Sequence, residues 1–458
     1  MNQIRPIIKK ILLEKYLKES NNANMLYVNM DVDQKNKEDI IDIKKLLNLN
    51  GFDVYIVGGA VRDSVKNYIK LSKNPKDTTI EHPKDFDLVT NALPTQIKNI
   101  FKDAPFISNI LEIGESFAIE FLVTKNGNKY EIATFRKDEG VGRKPDSVSF
   151  QKSPEEDAKR RDLTINALFY DIKKITDSGF LGYVIDFVGG VNDIKNNVVN
   201  TVGNAEDRFS DDPLRKMRTI RFASKMGSKI PKNVSDAILS GNTSLVDKLG
   251  KMISNERIRD EFYKGVKSSK SVVNFLELME KFDFMKHVFG NLKVNSNYFI
   301  DERNPMVLLS NILKDNNVDD IRKILHSKNY SSDEINSIAF LVSLINLNDN
   351  NVSATKGTYL SKIKNAKNKI NDKIYPITDS VIYKFAELNN IDKHKIKNLL
   401  RLAREFVSPS SILQRLGFQG KDFGNAVRKL EKEFYKNPDK IKKIINSKNE
   451  DEIKNVLF

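Results

Sequence analysis

The chain has 458 residues, of which 40% are hydrophobic and 30% are charged, and it contains no cysteine. A chain of this length is too long for one ordinary hydrophobic core, so we expect a soluble globular protein with two to four structural units. The lack of cysteine excludes disulfides, zinc–thiolate sites and a thiol nucleophile, and it is typical of a cytoplasmic protein. No uncharged apolar run approaches the roughly 18 residues of a membrane span.

The formal net charge is +15. This charge has two interpretations: lysine-rich solvated helices, or a surface that binds a polyanion such as nucleic acid. The four histidines are far apart in the sequence and none has the spacing of a metal-ligand pair. Carboxylates would therefore have to hold any metal, which favours a hard ion such as Mg²⁺.

The first half of the chain has α/β signals. Residues 1–45 are polar and predict a helical extension. A short strand is then predicted at 53–57, followed by a glycine break and a helix, and a second strand at 85–89. Residues 117–123 and 129–135 flank Asn126-Gly127, which predicts a β-hairpin.

The second half is mostly helical in pattern. Residues 156–172 read as a helix and then a strand, and residues 211–226 read as one helical run. From about residue 255 nearly every segment has helical periodicity, with Asn, Asp, Ser and Pro between the segments. The pattern predicts an α+β protein: a small mixed α/β unit with a mixed sheet, followed by a long all-α region.

Asp85 and Asp87 are two apart on a predicted strand, so their side chains should project from the same face. Two such carboxylates suit a pair of magnesium ions that hold an attacking hydroxyl and a leaving pyrophosphate. Taken alone, the pair is equally typical of a solvated strand end. Glu131, on the second hairpin strand, either supplies a third carboxylate facing them or is a polar residue on a half-exposed strand.

Gly58 and Gly59 lie between a predicted strand and a predicted helix. Backbone N–H groups at such a turn can meet phosphate oxygens, where a side chain would obstruct them. Arg62 lies one helical turn further on and could reach the same phosphates. The sequence therefore predicts a phosphate-binding turn beside the two aspartates.

Four motifs in this order resemble one family: IVGGAVRD (56–63), DFDLVT (85–90), RRDLTINAL (160–168) and DDPLRKMRTIRFA (211–223). The family comprises the bacterial and eukaryotic CCA-adding enzymes and the bacterial poly(A) polymerases, within the DNA polymerase β nucleotidyltransferase superfamily. The resemblance covers residues 50 to about 227. It implies an N-terminal extension (1–45), a catalytic head (46–175), a helical neck (176–255) and an elongated all-α RNA-binding body and tail (256–458).

The resemblance also implies residue roles. Asp85 and Asp87 would hold Mg²⁺, Glu131 matches a third acidic residue, and Asp162 and Asn166 would shape the sugar site. The other residues implied to bind the incoming CTP or ATP are Gly58, Gly59, Arg62, Arg161, Asp212, Arg215, Arg218 and Arg221.

Base choice can be argued from chemistry. Asp212 and Arg215 are three apart on the predicted helix and should be neighbours. Cytosine and adenine each present an amine donor beside a ring-nitrogen acceptor, which an Asp acceptor and an Arg donor match. Uracil and guanine present a carbonyl acceptor and a ring N–H donor at the same places, so both side chains would be mispaired. We expect Arg218 and Arg221 to serve the phosphates or to orient Asp212.

One segment departs from the family pattern, and another helps to distinguish its CCA-adding members from its poly(A) polymerases. The segment 64–84 is longer than the family's connection, which suggests a surface insertion near the active-site mouth. EGVGRKPDSVSF (139–150), with Gly142 and Arg143, resembles a flexible loop of CCA-adding enzymes.

Three functions follow from the resemblance. The loop favours CCA addition to the acceptor end of tRNA over the alternative, poly(A) addition to RNA. A catalytically inactive RNA-binding homologue is the third possibility, although the aspartates of the metal site are intact. The sequence shows no sign of a membrane association or of an obligate protein partner.

Overall fold

The structure is a computed structural model that describes residues 25–77, 79–80, 82–112, 119–139, 147–150, 153–240, 244–346, 368–370 and 373–458. The chain divides into two compact units, and the division falls between Ile253 and Ser254. No described helix is both long enough and apolar enough to cross a bilayer.

The strands are β1 (Met25–Asp31), β2 (Val54–Val57), β3 (Asp87–Thr90), β4 (Ile107–Glu112), β5 (Ile119–Thr124), β6 (Lys129–Thr134), β7 (Arg136–Glu139), β8 (Ser147–Phe150), β9 (Leu168–Thr176), β10 (Gly179–Asp186), β11 (Lys369–Ile370) and β12 (Lys373–Ile374). The helices of the first unit are α1 (Gln34–Leu49), α2 (Gly59–Lys73), α3 (Pro94–Phe101), α4 (Pro154–Lys159), α5 (Gly190–Lys195), α6 (Ala205–Asp211), α7 (Leu214–Met226) and α8 (Lys232–Leu239).

The second unit contains α9 (Asn255–Ser268), α10 (Val272–Lys281), α11 (Met285–Phe289), α12 (Pro305–Ile312), α13 (Val318–Ser327), α14 (Ser332–Ser343), α15 (Asp379–Leu388), α16 (Lys393–Glu405), α17 (Ser410–Arg415), α18 (Gly420–Lys436), α19 (Pro438–Ser447) and α20 (Glu450–Leu457). Short 3₁₀ turns lie at Thr164–Asn166, Ser296–Tyr298 and Leu344–Asn346.

Among the described residues, eight strands of the first unit form one sheet in the order β1-β10-β9-β2-β3-β6-β5-β4. β3 and β6 are parallel and the other neighbours are antiparallel, so the sheet is mixed as predicted. The predicted hairpin is also present: β5 and β6 pair around Gly127, which has φ +85°. The α+β fold class predicted from the sequence is confirmed.

The prediction of a helical extension over residues 1–45 is wrong in part. Residues 25–31 form β1, whose register pairs Val28 with Gly182 of β10, and α1 begins only after Asp33 caps it. The alternating inward side chains Val28 and Met30 bury one face of this edge strand. Residues 1–24 lie outside the described part of the chain.

The predicted boundary between head and neck at residue 175 cuts through a hairpin. β9 and β10 pair antiparallel across residues 177–178, so residues 179–186 belong to the sheet and not to a helical neck. Phe180 and Val184 alternate inward along β10 and are fully buried. Helical structure resumes at Gly190, where α5 begins.

One face of the central strands is apolar and covered by helix α1. Val54, Ile56 and Leu88 lie on this face, and α1 contacts β2 there with its own buried side chains Ile40 and Ile43. Because side chains alternate along a strand, Asp87 and Glu131 project to the other face. The packing of one face thus fixes the direction of the carboxylates on the other.

In the described residues of the second unit, the two-residue strands β11 and β12 depart from the all-α prediction, and the other regular elements are helical. Its packing is rich in phenylalanine: Phe262 contacts Phe275 and Phe289, with ring centroids 5.8 and 5.4 Å apart. Helices α17 to α20 surround a separate small core that includes Leu413, Leu430 and Ile453.

Candidate active site

The register of the central strands places two of the predicted site residues side by side. Val57 pairs with Phe169 of β9 on one side and with Asp87 of β3 on the other, and Asp87 pairs in parallel register with Glu131 of β6. Residues opposed in register project to the same face of a sheet. Asp87 and Glu131 are therefore adjacent, as the sequence predicted.

Asp85 lies outside the strand, contrary to the prediction of a strand over 85–89. β3 begins at Asp87 because its partner β2 ends at Val57, and Gly58 then turns away with φ +73°. β2 therefore offers no backbone partner to Asp85. The two aspartates are still close enough that the charge of Asp85 acts on Asp87.

No described residue forms a hydrogen bond or an ion pair with the side-chain carboxylates of Asp85, Asp87 and Glu131. Desolvation by the surrounding protein raises the pKa of Asp87, and the Asp85 charge adds to this effect, while Arg161 opposes it. Desolvation also raises the pKa of Glu131, followed by the charge of Asp87. Like charges held together, with a raised pKa despite the nearby Arg161, are typical of a site that receives a cation.

The described residues do not bring three His, Asp or Glu side chains close enough to form a complete metal cage. Magnesium does not need one, because it usually keeps several waters and takes one or two carboxylates together with substrate phosphates. The third-carboxylate role of Glu131 stays a prediction.

The Gly58-Gly59 turn approaches the carboxylates closely. A Cβ built on Gly58 would lie 3.2 Å from Oδ2 of Asp87, and α2 begins at Gly59 with its first backbone N–H groups unpaired within the helix. Position 58 requires glycine for two reasons: its φ is positive, and a side chain there would crowd Asp87.

Gly58→Ala should lose most of the predicted nucleotidyltransferase activity. We expect about 10²-fold lower turnover because the new methyl group displaces Asp87, measured as nucleotide incorporation per folded molecule. Gly51→Ala is the matched control: Gly51 has φ +81°, but a Cβ there has nothing within 4 Å. Both variants should lose about 1–3 kcal/mol of stability. Equal activity of the two variants would show that crowding of Asp87 is unimportant.

Arg161 is held beside the carboxylates by a residue that the sequence analysis missed. Nε and Nη2 of Arg161 donate to Oδ2 of Asp157 at 3.0 and 2.9 Å, and its guanidinium lies 5.3 Å from the centroid of Phe169. Its charge lowers the pKa of both Asp87 and Glu131 against the effect of desolvation. Asp157 is one of three consecutive acids, so the sequence carries no signal for which of them is buried.

Arg62 faces the interior of the unit. Its side chain is 3% exposed, Nη1 donates to Oδ1 of Asn166 at 2.7 Å, and Nε donates to Oδ1 of Asp63 at 2.9 Å. The guanidinium also lies 5.3 Å from the ring centroid of Phe222 on α7. This arrangement makes Arg62 a support for Asn166. The direct phosphate contact that the sequence suggested stays a prediction.

Asp162 is paired with the predicted nucleotide-selecting helix. Nε of Arg218 donates to Oδ2 of Asp162 at 2.6 Å, and the backbone N–H of Leu163 donates to Oδ1 at 2.9 Å. Although burial disfavours the charged form, the Arg218 guanidinium lowers the pKa of Asp162 to about 2. Arg218 therefore ties α7 to Asp162. Its expected role in serving the phosphates or orienting Asp212 stays a prediction.

The prediction that Asp212 lies on a helix is wrong. α6 ends at Asp211, Asp212 has φ −141° and ψ 98°, and α7 begins at Leu214. Pro213 is the physical reason, because a residue that precedes proline is pushed out of the helical region. Asp212 is buried, and its Oδ1 accepts the backbone N–H of Leu214 at 3.3 Å.

Arg215 stays close to Asp212, since its backbone N–H donates to the Asp212 carbonyl at 2.9 Å. Nη2 of Arg215 donates to the carbonyl of Arg160 at 3.4 Å. Nη1 of Arg215 is buried and has no acceptor among the described residues. A buried donor without a partner is typical of a group that meets a ligand.

The apolar side of α7 packs into the protein, since Leu214, Met217, Ile220 and Ala223 are all buried. Arg221 lies with its guanidinium 4.2 Å from the ring centroid of Phe222.

The loop residues Gly142 and Arg143 lie outside the described residues. Much of the predicted insertion at 64–84 is helix, because α2 continues to Lys73.

Comparison with known proteins gives a consistent result. Residues 54–200 match the family model of the poly(A) polymerase head domain. The CCA-adding enzyme of Ligilactobacillus salivarius is 30% identical over 402 residues, which cover 84% of this chain and 88% of that protein. The chain belongs to the CCA-adding enzyme family. The predicted family and its nucleotidyltransferase class are thereby confirmed.

Another CCA-adding enzyme has a higher identity over a shorter part of the chain. The enzyme of Lactobacillus johnsonii is 38% identical over 226 residues, and this alignment spans about half of each chain, 49% of this one and 48% of that one. The solved CCA-adding enzyme of Bacillus stearothermophilus in complex with CTP has a TM-score of 0.58 at 21% identity, covering 91% of this chain and 98% of that one. Because the sequence identity is only 21%, this structural similarity supports the fold alone.

Proposed function

We propose that this chain completes the 3′ end of tRNA in the cytoplasm by adding two cytidylates and one adenylate from CTP and ATP, with release of pyrophosphate. The observation that carries this proposal is the pair of neighbouring carboxylates, Asp87 and Glu131, beside the Gly58 turn. Template-independent selection of C and A is assigned to the adjacent α6–α7 junction.

The donor set of this pair fits magnesium. Its ligand atoms are hard carboxylate oxygens, and the raised pKa of Asp87, caused by desolvation and by the charge of Asp85 against that of Arg161, supports a cation at this place. Asp85 and Asp87 would hold the metal. When bound, magnesium supplies charge stabilisation for the attacking 3′-hydroxyl oxygen and the leaving pyrophosphate.

The chain's own groups bind the triphosphate. The first N–H groups of α2, beginning at Gly59, donate toward the phosphate oxygens, and the dipole of this 15-residue helix favours the negative charge. Arg161, fixed by Asp157, offers its guanidinium to the same phosphates. The 3′-oxygen attacks the α-phosphorus, and the bond from that phosphorus to the bridging oxygen of pyrophosphate breaks. Most of the catalysis comes from positioning and charge.

The α6–α7 junction reads the base. Asp212 accepts the exocyclic amine of cytosine or adenine, and Nη1 of Arg215 donates to the ring nitrogen. The buried, unpartnered state of Nη1 supports this assignment. Asp162 and Asn166 lie under the sugar, held by Arg218 and Arg62.

CCA addition is favoured over poly(A) addition because both relatives described above are CCA-adding enzymes. The head-domain match does not separate the two activities, since both branches of the family share the head chemistry. An inactive homologue is disfavoured because Asp85, Asp87 and Arg161 are retained.

Release of pyrophosphate tests the chemistry directly. Purified protein with Mg²⁺ and a tRNA that lacks its terminal CCA should release pyrophosphate from CTP. It should release none from UTP or GTP. A tRNA that already ends in CCA is the matched control and should give almost no release. Equal release with both tRNAs would contradict the proposed substrate.

Affinity for tRNA should fall steeply with salt if the net charge of +15 serves to bind RNA. Each phosphate contacted by Lys or Arg contributes a slope of roughly 0.7 to 0.9 to the plot of log affinity against log salt concentration. We expect a total slope of at least about 3, measured by filter binding between about 50 and 200 mM salt. A flat profile would show that the charge reflects composition alone.

A further inference from the structure

One buried carboxylate lies between two neighbouring arginines. Oδ1 of Asp157 accepts from Nε of Arg160 at 2.8 Å, and Oδ2 accepts from Nε and Nη2 of Arg161 at 3.0 and 2.9 Å. The Asp157 side chain is 0% exposed. Each oxygen thus fixes one guanidinium in a hydrogen-bonded geometry that allows little rotation.

The two arginines lead to different parts of the nucleotide site. Arg161 lies beside Asp87 and Glu131, where the triphosphate is expected. Arg160 offers its backbone carbonyl to Nη2 of Arg215, the arginine whose Nη1 is buried without an acceptor. The side chain of Arg160 is therefore fixed by Asp157 while its backbone fixes Arg215.

Asp157 keeps its charge in this position. Burial alone would raise its pKa, but the guanidiniums of Arg161 and Arg160 outweigh burial and hold the pKa below its usual value. A charged acceptor forms stronger and more directional hydrogen bonds to arginine than a neutral one. A neutral side chain of the same shape would hold both arginines less firmly.

We propose that Asp157 is a positioning residue for base selection: it fixes Arg160, whose carbonyl aims Arg215 at the base, and with its second oxygen it aims Arg161 at the triphosphate. This inference rests on the proposed function and deepens its account of how C and A are chosen. The simpler alternative is that Asp157 only fastens the short helix α4 to the first unit. That alternative concerns stability and leaves base choice unchanged.

Binding of CTP and UTP in EDTA, without RNA, separates these possibilities. The ratio of the two dissociation constants does not depend on the folded fraction, so a purely structural role does not move it. Asp157→Asn removes the charge, and Arg160→Met removes the guanidinium that Asp157 holds. In both variants we expect the preference for CTP to fall about tenfold, equivalent to about 1.4 kcal/mol.

Glu334→Gln is the matched control. Glu334 is also a buried carboxylate with several hydrogen bonds, including one from the Tyr263 hydroxyl at 2.7 Å, but it lies in the second unit. The control should lower the melting temperature and leave the CTP preference within about twofold of the wild type, a difference below about 0.5 kcal/mol.

An unchanged CTP preference in Asp157→Asn and Arg160→Met would overturn the proposal. If Asp157→Asn does not fold, Arg160→Met decides the question alone. Equal binding of CTP and UTP by the wild type would also overturn it. A wild type that prefers CTP but adds no nucleotide to tRNA would refute the proposed function and leave the positioning role of Asp157 intact.

Discussion

Asp87→Asn should abolish nucleotide addition and, in EDTA, should not destabilise the protein. The amide keeps the shape of the side chain but binds magnesium poorly, and loss of several kcal/mol of metal stabilisation corresponds to about 10³-fold or more in rate. Incorporation of labelled CMP into tRNA measures this loss. Asp236→Asn is the control, because Asp236 is an exposed carboxylate of the same unit whose partner is Lys232 at 2.7 Å.

The stability part of this prediction follows from the sign of the pKa shift. Desolvation, and then Asp85, raises the folded-state pKa of Asp87, so the charged form is less favourable in the folded state than in the unfolded one. This cost is present above the folded pKa and disappears as the pH falls through it. At neutral pH the neutral amide avoids it, so Asp87→Asn should melt at the same or a higher temperature in EDTA.

With magnesium present, the wild type should melt at a higher temperature than Asp87→Asn. Magnesium should raise the melting temperature of the wild type by mass action and have little effect on Asp87→Asn. Appreciable turnover in the variant, or an equal magnesium effect on both proteins, would show that Asp87 is not a metal ligand.

Asp212→Ala should relax base choice. Without its acceptor, the site no longer rejects the carbonyl that uracil or guanine places where cytosine or adenine has an amine. A mispaired buried group of this kind costs about 1–3 kcal/mol, so discrimination between CTP and UTP should fall about 10- to 100-fold. The ratio of kcat/KM for CTP to that for UTP is the measurement.

Asp211→Ala is the matched control for base choice. Asp211 is the adjacent residue, and its carboxylate pairs with Lys248 at 2.7 Å instead of facing the base. It should change stability slightly and leave the CTP-to-UTP ratio unchanged. If UTP and GTP stay excluded in Asp212→Ala, another group reads the base.

The sequence predicts the elements whose signals are local. The hairpin at Asn126-Gly127, the strand–glycine–helix turn at Gly58 and the apolar ridge of α7 each follow from neighbouring residues, and the structure contains all three. β1 was missed because its partner, β10, lies about 150 residues away and nothing local marks the pairing. Topology of this kind depends on the whole sheet.

The candidate site also contains residues that the sequence predicts and contacts that it does not. The aspartates and glycines are visible as motifs, and the register of β3 and β6 brings Asp87 and Glu131 together. Asp212 was placed on a helix although Pro213, visible in the sequence, forces the backbone out of it. The partners of Arg62 and Arg161 could not be predicted, because they depend on which of several polar side chains the packing buries.

Single-nucleotide analysis of the RNA product tests the central claim most directly. The purified chain and Mg²⁺ should be incubated with tRNA that lacks its 3′ CCA, with CTP alone, ATP alone and both together. We expect two C additions with CTP, then one A and a stop when ATP is also present. Long A tails that form without CTP would contradict the account and identify a poly(A) polymerase.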